Sequence, residues 1–141
     1  MEKIILAFLL GILSTIIADK IIHHPKIKVV CSHALAGYKS KDTMHVFNIK
    51  AINKGRVPIT LSGVGMELEG NMDLHIMESD IIPIELPKEV LPGENYQILK
   101  NYKTLKEDIK KNIGNKQVKR AFFRDQTGRK YYSKNINAFF K

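Results

Sequence analysis

Five histidines, one cysteine and a loose group of carboxylates are the residues of this chain that could do chemistry. The histidines are His23, His24, His33, His45 and His75. No two of them are four residues apart and H-E-x-x-H is absent, so the spacing that puts two imidazoles on one helix face for zinc does not occur. His23 and His24 could meet lipid headgroups or hold a metal, but adjacent histidines serve as a polar spacer by default. His45 and His75 fall in strand-like runs, and nothing in their spacing brings them together. The single cysteine, Cys31, excludes an intramolecular disulfide framework and any all-cysteine metal site. It sits in an alternating run without an adjacent cation to lower its pKa, which reads as a structural thiol. Ser62 lacks the G-x-S-x-G frame of a nucleophile elbow. Glu67, Glu69, Asp73, Glu78 and Asp80 could pair for glycan hydrolysis or bind calcium. No D-x-D-x-D-G pattern supports this, and they read as a solvated face. The sequence therefore predicts no catalytic residue, no metal site and no cofactor.

The stretch NKGRVPITLSGVGMELEG, residues 53–70, mixes four glycines with cations, which suggests a phosphate-binding loop. It fails both tests: there is no glycine–lysine pair for a Walker A loop, and its glycines do not fit G-x-G-x-x-G ahead of a helix. Asn53-Lys54-Gly55-Arg56 lies between two strand-like runs. It is a hairpin-type signal, with glycine to supply positive φ. In VPITL the apolar residues are Val57, Ile59 and Leu61; in VGMEL they are Val64, Met66 and Leu68. The alternation slips by one residue at Ser62-Gly63, as a β-bulge in a long strand would make it do.

The net charge of +9 is concentrated in the last third. Residues 100–141 hold thirteen Lys/Arg against three Asp/Glu, whereas residues 26–99 hold eight against nine. Lys119, Arg120, Arg124, Arg129 and Lys130 accompany Tyr131 and Tyr132, and these seven are the candidate binding residues. Cations interleaved with aromatics can grip single-stranded nucleic acid, lie on anionic lipid or meet an acidic protein. No RNP, KH or helix-turn-helix pattern supports nucleic acid, which is the weaker alternative.

The chain opens MEKIILAFLLGILSTIIADKII, apolar from Ile4 to Ala18. Continued through Ile22, the run makes a helix of about 28 Å, close to a hydrocarbon core of about 30 Å, with Lys20 able to snorkel at one interface. A retained single-pass anchor is the favoured reading. A signal peptide cut after Ala18 is the alternative, although Ile16-Ile17-Ala18 matches the small-x-small site poorly. A cleaved chain would be a secreted or surface-exposed domain that binds an acidic polymer. Lys20, Lys26 and Lys28 follow the helix, so the positive-inside rule favours a cytoplasmic domain.

Residues 1–25 thus form an anchor and linker, and residues 26–141 one folded domain. Period-two patterns mark strands at residues 26–33, 44–53, 57–68, 73–78 and 94–99, and two more surround a turn at Asp125–Gly128. Three prolines confine Ile82–Leu91 to an edge or an extended connection. Leu105, Ile109 and Ile113 lie four apart, one stripe of a short helix that Gly114 would stop. This pattern predicts a mainly β fold: an antiparallel β-sandwich with one short helix behind a transmembrane helix. The combination NKGRVPITLSGVG, ELPKEVLPGE and RDQTGRKYYS behind a short apolar helix resembles small bacterial or prophage membrane-anchored proteins. These have an immunoglobulin-like β-sandwich and no established function. The resemblance covers most of residues 27–134 and implies an immunoglobulin-like fold, but no catalytic residue. The functional expectation is a non-catalytic domain tethered in the cell membrane, whose partners are an unidentified protein, the anionic membrane surface, or both.

Overall fold

The computed structural model describes residues 1–37 and 43–141. The first element, α1, is a helix of 22 residues, Glu2–His23, with a mean hydropathy of 2.2 over its most apolar window. It is long and apolar enough to cross a membrane, and no residue in it is buried against the rest of the chain. Its side-chain hydroxyls are satisfied internally: Ser14 and Thr15 both donate to the carbonyl of Gly11, at 2.8 and 2.9 Å. That removes the cost of taking them into an apolar medium unpaired.

Among the described residues eight strands follow: β1 (Ile27–Gly37), β2 (Thr43–Asn53), β3 (Ile59–Leu68), β4 (Met72–His75), β5 (Lys88–Val90), β6 (Asn95–Asn101), β7 (Val118–Asp125) and β8 (Lys130–Tyr132). A second helix, α2 (Tyr102–Ile113), lies between β6 and β7. The strands form two antiparallel sheets. One has the order β1-β2-β6; the other has the order β4-β3-β7-β8, with β5 paired to the start of β3. The alternating apolar residues face a shared core. Phe47, Ile49, Ala51 and Ile98 enter it from the first sheet, and Leu61, Val64, Met66, Leu68, Ala121 and Phe123 from the second. The mainly β expectation and the apolar N-terminal helix are both present.

The slip in β3 is a bulge. Leu61 pairs with Asp125 and Gly63 with Arg124, so Ser62 is the extra residue, and its hydroxyl donates to the Asp125 carbonyl at 2.9 Å. That is how Leu61 and Val64, of opposite parity, are both buried. The 53–56 segment is different from its expectation. It joins β2 of one sheet to β3 of the other, so it is a crossover and not a hairpin. Gly55 has no positive φ; instead, a Cβ there would stand 3.1 Å from the backbone nitrogen of Lys26. The turn is built by Asn53, which is fully buried. Its Nδ2 donates to the carbonyls of Val57 and Val90, at 2.8 and 2.9 Å, and its Oδ1 accepts from the Gly55 amide. Such side-chain-to-backbone bonding replaces the ladder where the chain leaves a sheet.

The helix α2 starts at Asn101, whose side chain caps the amides of Lys103 and Thr104, and ends at Gly114 with φ of 68°. Leu105 and Ile109 are its buried stripe. After β8, Asn137–Phe140 form a single 3-10 turn. Its Phe139 and Phe140 pack against Phe47, and Phe139 stacks on His33 at 4.8 Å.

Candidate functional site

The fold takes apart the basic block that is continuous in sequence. The strand β7 runs from Val118, beside α2, to Asp125, at the foot of α1. Seven steps of about 3.3 Å separate its ends by about 23 Å. Lys119 and the exposed lysines of α2 therefore lie at one end of the domain. Arg129 lies at the other, where its guanidinium is 3.3 Å from Nε2 of His24.

Between these ends, Arg120, Phe122 and Arg124 share the outer face of the second sheet. Phe122 is fully buried although it points away from the main core. It lies over Gly65, where a Cβ would come within 2.7 Å of its ring. Tyr132 and His75 cover it edge-on, at 6.1 and 5.8 Å between centroids, and the Lys130 ammonium stands 4.8 Å from its ring centre. Two cations of this face, Arg120 and Lys130, are held internally. Arg120 pairs with Glu67 and places its guanidinium 3.6 Å from the Tyr132 ring centre. Lys130 pairs with Asp73, a hydrogen bond that raises the lysine pKa. Arg124 is half-buried, and its guanidinium lies along Gly63. A cation with a carboxylate and an aromatic face already around it has little attraction left for an external anion.

The foot of α1 is arranged differently. A groove of about 790 Å³ opens between α1, the β2–β3 crossover and the β7–β8 turn. Its lining includes Lys20, Lys26, Lys54, Arg56, Arg129 and Lys130, but no Asp or Glu. Among the described residues, only Lys130 of these six forms an ion pair. The rest of the lining is mostly apolar, including Ile21, Ile22, Pro25, Ile27 and Tyr131. Two backbone donors at the crossover are already engaged: the Lys54 amide bonds the Lys26 carbonyl at 2.8 Å, and the Gly55 amide bonds Asn53.

Arg129 is placed by Asp125. The Asp125 carboxylate accepts from the amides of Thr127 and Arg129, at 2.9 and 3.0 Å, and from the hydroxyls of Thr127 and Tyr131, at 2.7 and 2.9 Å. Burial pushes its pKa up, but these hydrogen bonds outweigh burial and hold it below the usual carboxylate value. The Tyr131 phenol is pushed up to about 12 by burial and by its bond to that carboxylate. Tyr131 is thus buried, while Tyr132 is exposed on the outer face.

The remaining chemistry-bearing residues are dispersed. Burial pushes the Cys31 thiol up to about 11, against a lowering hydrogen bond from Ser133. Glu67 and Asp73 are in ion pairs, and Asp80 accepts from the Asn101 amide at 3.2 Å. His75 packs on Phe122, and His45 lies opposite Leu35 across β1 and β2. Among the described residues, no three His, Cys, Asp or Glu side chains group as metal ligands would. Sequence reasoning did not assemble the groove because Lys20, Lys26, Lys54 and Arg56 lie outside the basic third; the signals were the lysines that follow the apolar run and the pair of cations flanking Gly55.

No family model matches the chain, and no curated protein matches it. Among solved structures, the X-ray structure of Northeast Structural Genomics Consortium target SoR45 aligns over 80% of this chain and 83% of its own, with 9% identity and a TM-score of 0.28. At that score the likeness carries no argument.

Proposed function

We propose that the protein is a non-catalytic binding domain tethered to the cell membrane by α1, with the domain on the cytoplasmic side and acidic partners engaged through its basic surfaces. One observation carries this reading: an uncovered apolar helix ends at a groove whose cations, Lys130 excepted, have no ion-pair partner among the described residues. An apolar helix with nothing packed on it needs a non-aqueous environment, and cations clustered at its end favour the anionic, cytoplasmic side of a bilayer. At the far end, Lys103, Lys106, Lys110 and Lys111 of α2 are exposed and stand too far from α1 to touch the same surface. They would face an acidic protein partner.

The finer fold that fits this reading is an elaborated immunoglobulin-like sandwich. Strand order supports it: first, second and sixth strands in one sheet, and fourth, third, seventh and eighth in the other. The short β5 on β3 and the helix between β6 and β7 are departures from that plan.

The test is extraction and protease protection of the full chain with a C-terminal tag in sealed cells. The expected result is a full-length tag that stays with membranes through alkaline carbonate, leaves only with detergent, and resists protease until the membrane is breached. Release by carbonate overturns the anchor. Digestion in intact cells overturns the orientation and sends the search to envelope polymers.

A further inference from the structure

The cations around the groove repel one another, and among the described residues nothing neutralises most of them. Lys26, Lys54, Arg56 and Arg129 come from three separate segments: the link after α1, the β2–β3 crossover and the β7–β8 turn. Each is brought in by a dedicated device. Asn53 and the Lys54–Lys26 backbone bond fix the crossover against the link, and Asp125 fixes the turn that carries Arg129. Scattering these charges over the surface would relieve their repulsion, so their convergence calls for an anion. The groove also has an apolar side. Ile21 and Ile22, which line it, remain 72% and 43% exposed and continue into the bare surface of α1. A free phosphate would satisfy only the cationic rim, and a hydrocarbon only the wall. A molecule with a phosphate head and acyl chains satisfies both.

We infer that this groove seats the headgroup of one anionic phospholipid, with Lys26, Lys54, Arg56 and Arg129 on its phosphate and its chains along Ile21, Ile22 and the last turns of α1. This rests on the reading of α1 as a membrane helix. Arg56 and Arg129 are the phosphate clamps, because a guanidinium offers paired donors to adjacent phosphate oxygens. Lys26 and Lys54 are point charges beside them. Lys130 belongs to the rim but is engaged by Asp73, and it contributes least.

The test is native mass spectrometry of the full chain released from neutral detergent. Phosphatidylglycerol, phosphatidylcholine and inorganic phosphate are titrated separately. The expected result is one retained phosphatidylglycerol, little phosphatidylcholine, and no displacement by inorganic phosphate at matched concentration. Arg56→Glu with Arg129→Glu should lower phosphatidylglycerol retention by at least about tenfold. Lys106→Glu with Lys110→Glu, an equal change of net charge on α2, should leave it unchanged. Both pairs are exposed, so unfolding midpoints should match wild type; Arg56→Gln with Arg129→Gln provides a milder version if the first pair does not. Equal retention of the two lipids, equal loss from the α2 pair, or full displacement by inorganic phosphate would each overturn the proposal. Its failure is separable from failure of the tether: a chain that resists carbonate but shows no lipid preference loses only the headgroup seat. A chain that carbonate releases loses the tether, whatever it binds in detergent.

Discussion

The outer face of the second sheet and the groove at the foot of α1 are built from the same residue types, arginine, lysine and tyrosine, and they use them in opposite ways. On the sheet face, Arg120 and Lys130 have carboxylate partners from β3 and β4 and lie over aromatic rings. That arrangement is a lid: it covers Phe122, the ring that a glycine at position 65 allows to lie flat against β3. In the groove, five cations have no carboxylate partner among the described residues. A basic aromatic composition therefore does not mark a binding surface until the acids on neighbouring strands have been counted. Charge already neutralised contributes to the fold, and charge left over is available to a ligand.

Three substitutions test whether the two regions are independent. The largest effect is expected from Phe122→Ala. Removing a fully buried ring should cost about 3–5 kcal/mol of stability, read as a large drop in the unfolding midpoint of the full chain in detergent. Lipid retention by the molecules that remain folded should be unchanged; a proportionate loss of both would merge the two regions. Next is Tyr131→Phe, which removes one of the four donors to Asp125 and should cost about 1 kcal/mol at neutral pH. The phenol pKa is raised from 10.0 to about 12 in the folded chain. Its stabilisation is therefore complete below pH 10.0 and is lost as pH rises through about 12. Wild type should lose stability across that window more steeply than the phenylalanine variant, and parallel curves would remove Tyr131 from the account. The smallest effect belongs to Arg120→Ala. With the arginine side chain 41% exposed, loss of its ion pair and ring contact should cost about 1 kcal/mol or less, with lipid retention unaltered. A fall in retention as large as that of the Arg56 and Arg129 pair would show that Arg120 also serves the ligand.

The strands, the bulge at Ser62, the α2 stripe and the turn before Gly128 were legible in the sequence because each is a local pattern of period or turn chemistry. What the sequence hid was long-range. Asn53 reads as a turn residue, and its bond to the Val90 carbonyl spans 37 positions. The segment it opens therefore read as a hairpin when it is a crossover. Glu67 and Arg120 are separated by 53 positions, so no window could show that they neutralise each other. The candidate residues Lys119, Arg120, Arg124, Arg129, Lys130, Tyr131 and Tyr132 fall within fourteen positions of sequence but are distributed over two ends and two faces of the domain. The alternation of a β-strand sends neighbours to opposite sides, and the length of β7 carries them apart.

The link between α1 and β1 is only His24, Pro25 and Lys26, a reach of about 10 Å at most, and it is strapped to the crossover through the Lys54–Lys26 bond. For a tethered domain, a link that short sets distance and leaves orientation free, because nothing in α1 is buried against the sheets. The domain cannot travel far from the bilayer as a module on a long flexible linker does, so partners would meet it close to the membrane. The groove, beside the link, would stay nearest the bilayer however the domain turns, while the lysines of α2 would be carried through the widest arc.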